Sequence, residues 1–84
     1  MRILLIEDDM MLGDALKRSL KQEGFTTDWV QDAEEAVVAL DTGEYALLLL
    51  DLGLPGKTGI ELLSELRGKA NPVPVIILTA RDSV

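Results

Sequence analysis

The sequence predicts an α/β protein, a parallel sheet with helices on both faces. Short apolar runs recur at 3–6, 46–50 and 75–78, with a shorter one at 28–30. Three of them are continuous rather than alternating, the pattern of strands buried on both faces. Between the runs lie stretches whose apolar residues recur at helical spacing, so strand and helix alternate along the chain.

The first strand is Ile3 to Ile6. In the helix that follows, Leu12, Ala15, Leu16 and Leu20 share a face, while Lys17, Arg18 and Lys21 fall outside it. Asp9 has the place and chemistry of its N-cap, and Gly24 supplies a stop. The second strand centres on Asp28 to Val30. Asp32 then opens a second helix, with Glu35 as its capping partner and Ala36, Val37 and Leu40 as its apolar stripe. Gly43 ends it, and the third strand is Ala46 to Leu50. A third helix runs from about Ile60 to Arg67, with Ile60, Leu63 and Leu66 inward and a Thr58–Glu61 capping box at its start. Val75 to Leu78 is the fourth strand. Right-handed crossovers make this order a doubly wound sheet, whose ligands bind at the carboxyl ends of the strands.

With 84 residues the chain suits one domain spanning residues 1–84. A net charge of −7 argues against a grip on nucleic acid, which needs clustered Lys and Arg. The chain has no cysteine, so thiolate and disulfide chemistry are excluded. The apolar run after Met1 turns acidic at Glu7, too soon for a signal peptide or a membrane span, so the expected location is cytoplasmic.

The chemistry gathers where the strands end. The first strand runs into Glu7-Asp8-Asp9, the third into Asp51 and the fourth into Thr79. With the first and third strands as neighbours, these carboxylates meet at one sheet edge, where they repel each other or recruit a cation. Magnesium suits such a site, since it prefers hard oxygen ligands and is often held by one or two carboxylates plus a phosphate. A carboxylate beside it can attack a phosphoryl group and form an acyl phosphate. Asp51, at the end of the most apolar strand, is the candidate nucleophile, with Glu7 and Asp8 opposite. Asp9 reads instead as a helix cap. Thr79 offers a hydroxyl to a phosphoryl oxygen, but a β-branched residue at a strand end is equally ordinary, and by itself it decides nothing. Gly56-Lys57-Thr58 imitates the end of a nucleotide-binding P-loop. That loop needs a glycine where Asp51 stands and a backbone N–H where Pro55 has none. The fragment is a decoy, and Lys57 reads as a solvated loop residue.

Three segments, Ile3-Leu4-Leu5-Ile6-Glu7-Asp8-Asp9, Leu50 to Gly59 and Pro74 to Asp82, come in an order and spacing that resemble the receiver domain of bacterial two-component response regulators. The resemblance implies a flavodoxin-like fold with strand order 2-1-3-4. It further implies Asp51 as phosphoacceptor, and a magnesium ion held by Glu7, Asp8, Asp51 and the backbone carbonyl of Gly53. Thr79 becomes the residue that contacts the phosphoryl group and moves on activation. The donor would be the phosphohistidine of a sensor histidine kinase, and the output transcription. The wording of the motifs is similar to regulators with a winged-helix DNA-binding domain, which the 84 residues do not include. A complete receiver continues through another helix, a fifth strand and a last helix, and its lysine on that strand has no match here. Lys57, Lys69 and Arg81 are not substitutes for it. The fourth strand is then expected to be an open edge that invites self-association. The resemblance describes a switch rather than a turnover enzyme. A magnesium-dependent phosphatase on a similar sheet would want a second Asp where Gly53 stands. A domain that only binds proteins would have no use for the acidic residues.

Overall fold

The computed structural model describes residues 1–54 and 58–79. Its elements are β1 (Arg2–Ile6), α1 (Met10–Gln22), β2 (Thr26–Val30), α2 (Ala33–Thr42), β3 (Leu47–Asp51), α3 (Gly59–Gly68) and β4 (Val75–Thr79). The strands form one parallel sheet in the order β2-β1-β3-β4. This is the doubly wound order expected above.

Alternation along the strands divides the core in two. Leu4, Ile6, Leu48 and Leu50 point to one face and are covered by Ala33 and Ala36 of α2 and by Leu62 and Leu66 of α3. Ile3, Leu5 and Leu49 point to the other, where Leu16 and Leu20 of α1 meet them with Phe25, Trp29, Leu47 and Leu78. The central strands β1 and β3 are buried on both faces, which is why their sequences are continuous apolar runs. β4 is the outer strand beyond β3, and its Ile76 and Ile77 are exposed.

The helix boundaries follow their caps. Asp9 caps α1, accepting from the N–H groups of Met11 and Leu12. α1 ends where Gly24 takes a φ of 90°, a left-handed conformation that costs glycine little. Asp32 caps α2 through the Glu35 N–H. The Glu35 carboxylate answers to the N–H of Gln31 rather than to that of the cap itself. The Thr58–Glu61 capping box is complete at α3.

Two helical faces differ from the sequence expectation. In α3 the buried residues are Gly59, Leu62 and Leu66, whereas Ile60 is 60% exposed and Leu63 only half-buried. Ile60 lies too far round the helix from the stripe that Gly59 allows to approach the chain at Leu52. In α1, Leu12 and Ala15 are exposed, Leu16 and Leu20 are half-buried, and the fully buried residue is Gly13. The cause is Trp29, whose ring lies where a side chain on Gly13 would be. That close approach turns α1 about its axis.

Candidate functional site

At the carboxyl ends of β1 and β3 the alternation continues for one more residue. Ile6 pairs with Leu50, so Glu7 and Asp51 come next and share a side of the sheet. Both are fully buried, at 0% exposure. Asp8 has left the strand, and this lets an adjacent residue approach the same point. Glu7, Asp8 and Asp51 each offer a carboxylate oxygen, and the three oxygens lie within 4.8 Å of one another.

Local hydrogen bonds orient the cluster. Asp9 N–H donates to Glu7 Oε1 at 3.0 Å, and Glu7 N–H donates to the Val30 carbonyl at 3.1 Å. The Trp29 indole N–H donates to the Glu7 carbonyl at 2.9 Å. On β3, the Gly53 N–H donates to Asp51 Oδ1 at 2.9 Å and closes a turn on the strand end. Asp9 itself is exposed and occupied as a cap, outside the cluster.

Thr79 is the backbone partner of Asp51 in the β3–β4 register, and its side chain lies outside the described residues. The pairing depends on an irregularity. Leu50 pairs with Ile77 but Asp51 with Thr79, so β4 carries one extra residue beside the site. Bulges of this kind re-aim strand ends next to functional sites. Pro55, Gly56, Lys57, Arg81 and Asp82, which figured in the sequence argument, also lie outside the described residues. Trp29 and Gly13 were not singled out from the sequence. The available signals were the chain's one tryptophan and a glycine inside a helix, where alanine is favoured by about 1 kcal/mol.

The donor set fits a hard divalent cation. Three carboxylates so close repel one another, and two of them are out of contact with water, so a bound cation offsets both costs. Oxygen donors of this kind, without His or Cys, suit magnesium more than zinc or copper.

A doubly wound parallel sheet with a carboxylate cluster at the carboxyl ends of its inner strands defines a class of α/β ligand-binding domains. Within that class the chain belongs to the response regulator receiver domain family, which matches it over residues 3–84. It is 50% identical to the response regulator protein PmrA of Pseudomonas aeruginosa, across 100% of this chain and 38% of that protein. The chain therefore spans 38% of the length of this curated relative. Among solved structures it is similar to a Francisella response regulator receiver domain, with a TM-score of 0.91 and 32% identity, covering 99% of this chain and 69% of that one. It is also similar to the response regulator TrrA of Thermotoga maritima in complex with Mg2+-BeF, with a TM-score of 0.88 and 36% identity over 96% of this chain and 70% of that one. TrrA has in addition been solved in complex with the histidine kinase ThkA. Among the described residues no helix is long and apolar enough to cross a membrane.

Proposed function

We propose that this chain is a phosphorylation switch in which Asp51 accepts a phosphoryl group from the phosphohistidine of a sensor histidine kinase. The observation that carries the reading is the cluster of Glu7, Asp8 and Asp51, with oxygens within 4.8 Å and Glu7 and Asp51 fully buried. The similarity to TrrA, which is solved with Mg2+-BeF and with a histidine kinase, supports the same assignment.

An Asp51 carboxylate oxygen attacks phosphorus, the phosphorus–nitrogen bond of the donor breaks, and the imidazole leaves with the bonding electrons. Glu7, Asp8, Asp51 and the Gly53 carbonyl are the residues that would hold magnesium. When bound, the ion supplies positive charge to the phosphoryl oxygens and so lowers the barrier to transfer. The Gly53 N–H orients the Asp51 carboxylate on a rigid strand end. Thr79, across from Asp51, is the residue assigned to contact the phosphoryl group and change position with it. The added charge then biases the domain between two forms, one of which engages an output. That output is transcription, through a DNA-binding domain outside these 84 residues. A second copy pairing along β4, where Ile76 and Ile77 are exposed, is a further partner consistent with this reading.

Intact mass after incubation with acetyl phosphate and MgCl2 tests the proposal, using this chain both alone and within a full-length regulator. A gain of one phosphoryl group that disappears in Asp51→Ala and without magnesium is the expected result. No gain in the full-length protein overturns it.

A further inference from the structure

Hydrogen bonds hold Glu7 at both its backbone and its carboxylate, and the end of β2 supplies two of them. Its N–H donates to the carbonyl of Val30, and its carbonyl accepts from the indole of Trp29, the preceding residue. Its carboxylate accepts from the Asp9 N–H, which belongs to the cap of α1. Trp29 pairs with Leu5 in the β1–β2 register, on the sheet face that α1 covers. From there the ring reaches under α1, where a Cβ on Gly13 would overlap Trp29 Cζ2 and Cε2. The glycine is therefore what lets the helix lie over the indole. It retains that space although alanine is the better helix former.

Resting on the magnesium reading of the acidic cluster, we infer that Trp29 is a positioning residue for Glu7, seated by Gly13, and that it couples α1 and β2 to the cation site. The ring acts through the Glu7 carbonyl. It fixes the peptide on which Glu7 stands, from which Asp8 also continues. A donor that orients a metal ligand commonly changes metal affinity by about tenfold or more when removed. The indole is the chain's one tryptophan, so its emission reports this contact without interference from another.

The test uses MgCl2 and the chain itself, with affinity read by calorimetry and emission read in parallel. The wild-type emission is expected to change with the same midpoint as the calorimetric isotherm. Trp29→Phe keeps a ring but has no N–H, and is expected to weaken magnesium binding by about tenfold. Gly13→Ala displaces the indole and weakens binding similarly, and the double variant loses no more than either single one, because both act through one contact. Leu20→Ala removes apolar contact from the same cluster without touching Glu7, and leaves the affinity as it was. A calorimetric isotherm with no change in emission, or equal affinity in Trp29→Phe and wild type, overturns the positioning role and leaves the cation site standing. Weakening in Leu20→Ala as large as in Trp29→Phe also overturns it, since loosened packing would then suffice. Absence of magnesium binding in the wild type overturns both readings.

Discussion

The Tyr45 hydroxyl donates to Asp28 Oδ2 at 2.6 Å, joining the approach to β3 to the middle of β2 across the intervening β1. Arg2 of β1 donates to the same oxygen through Nη2 at 2.7 Å and lies over the Tyr45 ring at 4.9 Å. Three strands are thereby tied together at the opposite end of the sheet from the acidic cluster.

This tie has a pH signature. The Tyr45 hydrogen bond, and after it Arg2, hold the Asp28 carboxyl below its ordinary value, against the opposing effect of burial. A depressed carboxyl stabilises the fold above its unfolded value of about 3.9, and that stability is lost as pH falls through the folded value. Burial, and then the bond to Asp28, raise the Tyr45 phenol. Its contribution is present below about pH 10 and lost as pH rises through the folded value. Tyr45→Phe is expected to cost about 1 kcal/mol at pH 7, with the Asp28 side chain 40% exposed keeping the figure low. The penalty should shrink at pH 3, as urea unfolding at both values will show.

The inward face of α3 can be checked by a pair of truncations. Leu62→Ala opens a cavity in the core and is expected to cost about 2–5 kcal/mol. Ile60→Ala removes a side chain already 60% exposed and should change stability by less than about 0.5 kcal/mol. Equal costs in chemical denaturation would contradict the face described here.

Gly59→Ala sets two effects against each other. Alanine is the better helix former by about 1 kcal/mol. Its Cβ would, however, lie 2.7 Å from Leu52 Cα and 2.9 Å from the Asp51 carbonyl oxygen, and neither is a flexible side-chain end. Overpacking of this kind costs about 1–3 kcal/mol, so net destabilisation is expected. Because the clash falls on the residues that carry the candidate acceptor, magnesium affinity should drop as well.

Magnesium that binds the folded chain alone raises its stability by about 1.4 kcal/mol at ten times the dissociation constant. For a chain of this size the thermal midpoint should rise by roughly 5–10 °C. Asp51→Ala should abolish most of that rise. A comparable rise in the variant would indicate a cation site elsewhere.

Much of the fold is written in local pattern. Continuous apolar runs announce β1 and β3, because a strand covered on both faces has no polar side to display, and β4 shows the same kind of run although its Ile76 and Ile77 are exposed. Asp9, Asp32 and Thr58 announce the helix starts, because each cap is satisfied within three residues of itself. The carboxylates at strand ends were likewise visible, since a parallel sheet brings such ends to one edge.

What lay outside local pattern depended on contacts between distant segments. Helical spacing nominated Leu12 and Ala15 for the inner face of α1, but the Trp29 ring claims the space over Gly13 and turns the helix. The same spacing nominated Ile60, while the close approach of Gly59 to Leu52 selects Leu62 instead. The extra residue in β4 that pairs Thr79 with Asp51 leaves no mark in composition, being a property of the register between two strands. By itself the sequence determined which elements form and where charge collects, since both follow from short-range periodicity and capping. Only the tertiary structure decided how α1 and α3 are turned and what holds Glu7 in place, because those are settled by side chains and backbone that meet across distant segments.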